Sequence, residues 1–176
     1  APNIARLMAG EKGRVCCSTI DALVAFDAKE YVPDIAKLLE HADRDVRKQA
    51  AMALGQFEAK EYIPQIAKLL GDLEGEVRSA STRALANLRA VEHVPWITTL
   101  LGDPDQDVRQ AAAEALTGLG ATEHVLDIAR LLEDPQHEVR QKSIRVLVGL
   151  SAKEFAPDIA RLLSDPEADV REEAIW

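Results

Sequence analysis

Apolar residues along the chain occur in short sets with the spacing of an α-helix, and each repeating unit of 31 residues contains two such sets. In residues 28–58 the first set is Val32, Ile35, Leu38 and Leu39, and the second is Val46, Ala50, Ala53, Leu54 and Phe57. Both sets advance in steps of three and four, which places each on one face of an α-helix. No segment alternates with a period of two, so no strand is predicted. Each unit is therefore predicted to hold two helices, the first running from about Glu30 to Glu40.

The same pattern returns every 31 residues with no insertion or deletion. The dipeptide Val-Arg begins at residues 46, 77, 108, 139 and 170. Two apolar columns keep the same step, and they are Leu23, Leu54, Leu85, Leu116, Leu147 and Ile4, Ile35, Ile66, Ile97, Ile128, Ile159. A fixed period over several columns is typical of repeat proteins. A two-helix unit cannot bury its apolar stripes alone, so the units are predicted to stack into an α-solenoid.

Polar and proline positions mark where the helices begin. Proline stands in the first turn of most first helices, where its missing N–H costs nothing because the donors there are unpaired. These prolines are Pro33, Pro64, Pro95 and Pro157, and Leu126 departs from the column. Acidic residues open the second helices, where they complement the helix dipole. They are Asp45, Glu76, Asp107, Glu138 and Asp169.

The run from Pro95 through Asp103 to Val108-Arg109 resembles the HEAT repeat signature. The 31-residue period resembles the short HEAT-like repeats of phycobilisome-lyase-type proteins, and the resemblance covers the whole chain. It implies an all-α fold, a right-handed superhelix with the second helices on the concave side. Residues 1–176 are then expected to form a single domain of between five and six repeats.

The two ends interrupt the repeat, at Ala1 and at Trp176. Solenoids normally close with polar caps, and neither end has one. The chain is therefore expected to be a fragment of a longer array, or an array whose ends pair with something, or a trimmed piece. Ile4, Leu7, Ile175 and Trp176 are expected to be exposed, and self-association through the uncapped ends is expected with them.

The resemblance also implies a ladder of Asp and Arg side chains between adjacent repeats. The matching acidic positions are Asp72, Asp103, Asp134 and Asp165. The matching basic positions are Arg47, Arg78, Arg109, Arg140 and Arg171. Toward the N-terminal end His41 and Gly10 replace the Asp, and Cys16 replaces the Arg. The ladder is expected to be broken there.

Charge and composition narrow the classes of partner. There are 21 basic and 30 acidic residues, a net charge of −9, which argues against a general binder of nucleic-acid phosphates. No apolar run approaches the ~18 residues that a membrane span needs. The two cysteines, Cys16 and Cys17, are adjacent and cannot form a disulfide framework. A cytoplasmic chain with a protein partner is predicted.

Motifs that carry chemistry are missing from the sequence. It contains no Cys-x-x-Cys, His-Glu-x-x-His, phosphate-binding glycine loop or nucleophile elbow. His93 and His124 share a column with Tyr31 and Tyr62, which indicates a half-buried flat ring rather than a metal ligand. HEAT-like iron hydroxylases use several His-Glu pairs, whereas this chain has one, at residues 137–138. No catalytic residue, metal or cofactor is therefore expected.

One row of the second helices is predicted to face away from the core. Its main column reads Asp21, Met52, Arg83, Glu114, Arg145 and Trp176, and the next column includes Gln56 and Asn87. The row changes size and charge from repeat to repeat, so packing does not dictate it, and the resemblance places it on the concave face. Two interpretations stay open, free drift of solvent-facing positions or a partner-specific surface.

Trp96 stands on the first helices, in the column of Asp34 and Asp127. It is either an exposed contact residue or a ring folded over its neighbours. With the second-helix row it completes the predicted partner-binding set, which is Met52, Gln56, Arg83, Asn87, Glu114, Arg145 and Trp96.

The sequence thus predicts a non-catalytic scaffold that binds another protein on the concave face of the solenoid. The alternative implied by the resemblance is a phycobilin lyase-like enzyme subunit that binds a linear tetrapyrrole. A nucleic-acid binder of the HEAT-like glycosylase kind would need a cationic concave face, which the net charge disfavours. A designed array with no natural partner would explain the strict period but not the variable surface.

Overall fold

A computed structural model describes residues 13–175 of the chain, and these residues form α-helices and 3₁₀ turns without any strand. The second helices of the repeats are α1 (Gly13–Ala25), α3 (Arg44–Gln56), α5 (Gly75–Asn87), α7 (Gln106–Leu119), α9 (His137–Gly149) and α11 (Ala168–Glu173). The first helices are α2 (Val32–Lys37), α4 (Ile63–Lys68), α6 (Val94–Thr99), α8 (Val125–Arg130) and α10 (Ala156–Arg161). The predictions made for Ile4, Leu7, Gly10 and Trp176 lie outside the described residues.

The first helices are less regular than the sequence predicted. The segment predicted as one helix from Glu30 to Glu40 is a six-residue α-helix, α2, between two 3₁₀ turns, Lys29–Tyr31 and Leu38–Glu40. Pro33 lies at the start of α2, as predicted. A helix this short has few paired backbone groups, and 3₁₀ bonds tighten its ends to satisfy some of the others.

All five long second helices of the described chain end in the same way. The residue after the last turn adopts a left-handed conformation, and it is Asp27, Glu58, Arg89, Gly120 or Ser151, with φ between 48° and 64°. The alanine that follows donates its N–H to a carbonyl five residues back, as from Ala59 to Leu54 at 3.0 Å. This is the Schellman ending, which turns the chain sharply toward the next first helix.

Contacts within the chain separate two compact units, Ala1–Ala90 and Val91–Trp176. A single domain over residues 1–176 therefore stays a prediction. In the N-terminal unit α1 packs on α3 and α3 on α5. The largest fully buried side chains of this core are Ile20, Ile35, Leu54, Ile66, Leu85 and Leu88.

The α3–α5 contact in this unit is close because of a glycine. A Cβ on Gly55 would lie 2.9 Å from the Cα of Ala84, so a larger residue there would push the two helices apart. The small side chains of Ala50, Ala53 and Ala84 are buried in the same unit.

In the C-terminal unit α7 packs on α9 and α9 on α11. Its largest fully buried side chains include Ile97, Leu101, Leu116, Ile128 and Ile144. Each first helix of the described chain is preceded by a ring in its 3₁₀ turn, and the rings of Tyr31, Tyr62, His93, His124 and Phe155 are all half-buried. The prediction that His93 and His124 fill a ring position is confirmed.

Candidate functional site

An arginine is the fourth residue of each second helix from α3 to α11, and it holds the loop that precedes the helix. Its Nη1 donates to the carbonyl oxygens of the residues six and five positions earlier. Arg47 binds His41 O and Ala42 O, both at 2.9 Å, and Arg140 binds Asp134 O at 2.7 Å and Pro135 O at 3.2 Å. Arg78, Arg109 and Arg171 repeat these two bonds. The arginine thus closes its own loop before it reaches any other repeat.

The first residue of the same loop stabilises the turn from the other side. The Oδ1 of Asp72, Asp103, Asp134 or Asp165 accepts the backbone N–H two residues later, at 2.8–3.0 Å. In the one described loop without this aspartate, the Nδ1 of His41 accepts the N–H of Asp43 at 3.0 Å. His41 therefore replaces the local role of the aspartate without bringing a carboxylate.

Two of the cross-repeat pairs that the ladder predicts are close. Arg47 donates from Nε and Nη2 to the two oxygens of Asp72, at 2.8 and 2.9 Å. Arg140 binds Asp165 in the same bidentate way, at 2.8 Å for both bonds. These side chains are mostly buried, from 4% to 15% exposed, so the pairs are shielded from water.

The electrostatics follow from this geometry. Burial alone would raise the pKa of Asp72, but the bonds from Arg47 and from the Glu74 N–H outweigh it and hold the pKa below its ordinary value. The hydrogen bond from Arg140 is the main cause of the lowered pKa of Asp165. Both carboxylates are therefore held in their charged form in the folded chain.

Arg109 lacks the corresponding cross-repeat pair. Its residue is only 8% exposed, and its Nε is buried with no hydrogen-bond partner among residues 13–175. Asp134, in the place that Asp72 and Asp165 take in their repeats, uses Oδ1 only for the N–H of Gln136. The guanidinium is satisfied only through Nη1, by the carbonyls of Asp103 and Pro104.

The predicted partner-binding residues of the second helices all lie at the surface. Met52 and Gln56 on α3 and Arg83 and Asn87 on α5 are exposed in the N-terminal unit, and Met52 is 40% exposed. Glu114 on α7 and Arg145 on α9 are exposed in the C-terminal unit. We call these six residues the second-helix row.

Contacts between repeats link this row to a neighbouring column that the sequence analysis missed. Asp21 on α1 accepts a hydrogen bond from Gln49 on α3, and Arg145 binds Glu173 on α11 through Nε at 3.2 Å and Nη2 at 2.5 Å. Both pairs join residues 28 positions apart. At the same offset Met52 is followed by Ala80, and Glu114 by Lys142. The opposite charges of Glu114 and Lys142, and of Arg145 and Glu173, are the signal in the sequence that could have indicated this second column.

Lys142 is a buried amine beside the row. It is 8% exposed, and its Nζ donates to Gln110 Oε1 at 2.6 Å. Desolvation is the main cause that lowers its pKa, and the nearby charge of Arg145 acts in the same direction. Gln110 in turn donates to Glu114 at 2.6 Å, so the polar groups here form a chain.

Trp96, the seventh predicted contact residue, lies apart from the row on the first helix α6. It is 61% exposed, which excludes a ring folded over its neighbours. Leu126 on α8 is 66% exposed. The structure therefore presents predicted contact residues on two different sets of helices.

The cysteines and histidines form no reactive cluster in the described part of the chain. Cys16 is buried and Cys17 half-buried, and burial, followed by the charge of Asp45, raises the pKa of the Cys17 thiol. His137 Nε2 lies 3.4 Å from Glu138. No group of three or more His, Cys, Asp or Glu side chains among residues 13–175 is arranged to hold a metal. No helix of that range is long and apolar enough to cross a membrane.

A family profile described as HEAT repeats matches residues 1–86 and 63–129, which together cover most of the chain. The chain belongs to the HEAT repeat family. The comparison with curated proteins found no match. Together with the helix pairs described above, the match makes the chain an all-α solenoid of stacked two-helix HEAT repeats.

Solved structures of related repeat proteins are similar to this HEAT chain in fold. The complex of CpcE and CpcF, the phycocyanin lyase of Nostoc sp. PCC7120, has a TM-score of 0.68 at 22% identity, over 98% of this chain and 73% of the other. An engineered protein gives 0.65 at 21% identity, over 98% and 92%. A designed armadillo repeat protein in complex with the peptide (KR)4 gives 0.63 at 17% identity, over 99% and 96%.

Proposed function

We propose that this HEAT chain is a non-catalytic scaffold that binds another protein through the second-helix row. The observation that carries the proposal is the contrast within α3. Ala50, Ala53 and Leu54 of this helix are fully buried, whereas Met52 and Gln56 on its opposite side stay exposed. An exposed methionine is a flexible apolar contact that adapts to different partners.

The members of the row differ in how freely they can engage a partner. Arg145 is held by two bonds to Glu173, so a partner that uses Arg145 must compete with that carboxylate. Met52 has no charge to satisfy, and the residue 28 positions later, the place that Glu173 takes relative to Arg145, is the small Ala80. We therefore expect Met52 to contribute more to binding than Arg145, although arginine is enriched among interface hot spots.

The similar structures support a protein partner in general terms. The lyase proteins CpcE and CpcF form a complex with each other, and the designed armadillo repeat protein holds a peptide. Solenoids offer an extended surface for such partners. The concave position of the row and the cytoplasmic location remain part of the proposal.

The test is to isolate a partner with the immobilised wild-type chain, identify it by mass spectrometry, and measure its dissociation constant with purified proteins. We expect Met52→Glu to weaken binding about tenfold or more, and Arg83→Glu and Arg145→Glu to weaken it less. Lys68→Glu, an exposed change on the first helix α4, is the matched control. Unchanged affinity in all three row variants, with a loss in Trp96→Ala, would move the site to the first helices.

The similarity to the phycocyanin lyase favours one second candidate, an enzyme subunit that binds a linear tetrapyrrole. Mixing the chain with a free bilin and recording the absorption spectrum separates the two. A scaffold leaves the bilin spectrum unchanged, whereas a lyase-like subunit shifts the band and holds the pigment through gel filtration.

Self-association is a further prediction about partners. Ile175 is 72% exposed, and an apolar groove of about 390 Å³ lies near it, lined by Leu147, Val148, Ile159 and Leu163 among others. Sedimentation velocity over a range of concentrations measures the effect. A single monomeric species at all concentrations would contradict it.

A further inference from the structure

The first helix α6 of the C-terminal unit carries an exposed apolar patch. It consists of Val91, Pro95 and Trp96, and we call these three residues the first-helix patch. Val91 and Trp96 are 56% and 61% exposed, and Val91 and Pro95 line one cavity. Large apolar side chains that stay exposed at one place mark an interaction surface.

Comparison with the other repeats shows that charges have been replaced at this place. The column of Trp96 holds Asp34, Asp127 and Asp158 in three other repeats and the uncharged Gln65 in one, and each of these aspartates pairs with a basic residue three positions on. Asp34 and Lys37, for example, are 2.7 Å apart. At α6 the pair has become Trp96 and Thr99, and the Thr99 hydroxyl donates to the carbonyl of Trp96 at 2.7 Å.

A second basic column is lost beside the patch. The first residue of the 3₁₀ turn is Lys29, Lys60 or Lys153 in three repeats, but Val91 and Thr122 in the two repeats of α6 and α8. The glutamate that follows it is kept in all five, as Glu92 and Glu123 in these two. These two turns therefore keep their acidic residue without the adjacent lysine that the other three turns have.

The two turns share a cavity of about 430 Å³. Its walls include Val91, Pro95 and Leu119, and both Glu92 and Glu123 line it. A long side chain with an apolar stem and a positive head matches this lining, because the stem can pack on the apolar wall while the head lies near the carboxylates. Trp96 directly follows Pro95, so an apolar neighbour of that basic residue would meet the exposed indole.

We propose that the first-helix patch binds a basic amphipathic segment of a partner protein. A Lys or Arg side chain of the segment enters the cavity between Glu92 and Glu123, and a large apolar residue packs on Trp96. Charge complementarity selects this occupant. A second copy of this chain, with its net charge of −9, and a nucleic acid would both be repelled by the same carboxylates.

The surface is separate from the second-helix row and the proposal does not depend on it. The probe for the test is a fluorescein-labelled synthetic peptide of Leu and Lys at amphipathic helical spacing, and its counterpart has Glu in place of Lys. Fluorescence anisotropy measures the dissociation constants at low salt. We expect the chain to bind the Leu/Lys peptide at least about tenfold more tightly than the Leu/Glu peptide, because charges across an interface suppress the wrong partner.

The decisive variant restores the residues of the sister repeats, with Val91→Lys, Trp96→Asp and Thr99→Lys combined. Each new residue occurs at the same position of another repeat, so the variant is expected to keep its helicity, which circular dichroism checks. It should lose about tenfold or more in affinity for the Leu/Lys peptide, since it removes the aromatic anchor. Glu92→Gln with Glu123→Gln should also weaken binding, whereas the matched pair Glu30→Gln with Glu61→Gln should not.

Direct contact with the indole is read from its fluorescence. In a Trp176→Phe background Trp96 is the only tryptophan, and its emission should shift to the blue when the Leu/Lys peptide binds. Equal affinity for both peptides, or unchanged affinity in the restored-charge variant, overturns the proposal. Met52→Glu should leave this affinity unchanged, so failure here and failure of the second-helix row are distinguished.

Discussion

The repeat built on α7 and the repeat built on α9 share one loop design but differ in their contact with the next repeat. Arg109 and Arg140 both hold two loop carbonyls through Nη1. Arg140 also binds Asp165 through two bonds of 2.8 Å, whereas the buried Nε of Arg109 has no partner within residues 13–175. The hydrogen bonds of the loop thus form within one repeat, whereas the cross-repeat ion pair forms only where the next repeat brings its aspartate within reach of the arginine.

The α7 repeat differs at its other end as well. α7 has 14 residues and is followed by Gly120 in the left-handed conformation, whereas α9 has 13 residues and the equivalent left-handed residue is Ser151. Glycine adopts this conformation without a steric cost, and other residues do not. The α7 repeat therefore has a relaxed helix end and an arginine whose Nε lacks a partner, whereas the α9 repeat has a strained helix end and an arginine whose Nε and Nη2 both bind Asp165.

The largest expected effect comes from removing the carboxylate that Arg140 uses. Asp165→Asn keeps the oxygen that caps the loop but removes the charge, and we expect it to lower the free energy of unfolding by about 2–3 kcal/mol because Arg140 is left buried and unpaired. Asp134→Asn should cost less than about 1 kcal/mol, since Asp134 only caps its loop. Urea unfolding measures both, and equal losses would remove the distinction between the two repeats.

The second prediction concerns the arginine loop itself. Arg109→Ala and Asp103→Ala should each lower the free energy of unfolding by about 1–3 kcal/mol, because buried loop groups lose their partners. Arg140→Ala should cost more than Arg109→Ala, since it also leaves Asp165 unpaired. Lys68→Ala, on an exposed position, should stay within about 0.5 kcal/mol and serves as the control. If Lys68→Ala lowered the free energy of unfolding as much as Arg109→Ala in the same urea series, the stabilising role of the arginine in its loop would be contradicted.

The third prediction uses pH. The pKa of Asp72 and Asp165 is lowered on folding, so their contribution is fully present above the ordinary Asp pKa of about 3.9 and is lost as pH falls through the lower folded value. The urea midpoint of the wild type should therefore drop between about pH 5 and the acid limit of folding. The double variant Asp72→Asn, Asp165→Asn should show a shallower drop. Parallel curves would mean that other carboxylates carry the acid sensitivity.

The smallest expected effect concerns the helix ends. Glu58→Gly and Ser151→Gly should raise the free energy of unfolding by about 0.5–1 kcal/mol, because glycine removes the strain of φ near 55°. Gly120→Ala should lower it by a similar amount, and no atom lies within 4 Å of the added Cβ to confuse the result. Thermal unfolding compares the three. A loss of stability in both glycine variants would show that the left-handed ending is not strained.

Much of the fold was predictable from local spacing. The two helices of each unit, the proline at the start of α2 and the half-buried ring positions all follow from which residues recur at which step. The 3₁₀ turns around α2 and the left-handed Glu58 and Ser151 were not predicted, because no residue type in the sequence marks either feature.

The candidate site also has one part that was predictable from the sequence and one part that was not. The helical period puts Met52 and Arg145 on the side of their helices opposite the apolar face, so their exposure was predictable from the sequence. That Arg145 is held by Glu173 and that Lys142 is buried against Gln110 involves residues about 30 positions apart in different repeats. Such contacts have no local signal, and only comparison of the two columns at the right offset would suggest them.

The sequence by itself determined that this chain forms two-helix HEAT repeats, and which side of each helix is buried, because apolar spacing and loop residues act over a few positions. The tertiary structure alone decided that the carboxylate of Asp165 binds an arginine and the carboxylate of Asp134 does not, and that Trp96 is exposed. The physical reason is distance. A bidentate ion pair forms only when two repeats place their side chains within about 3 Å of each other, and the packing between repeats sets that separation.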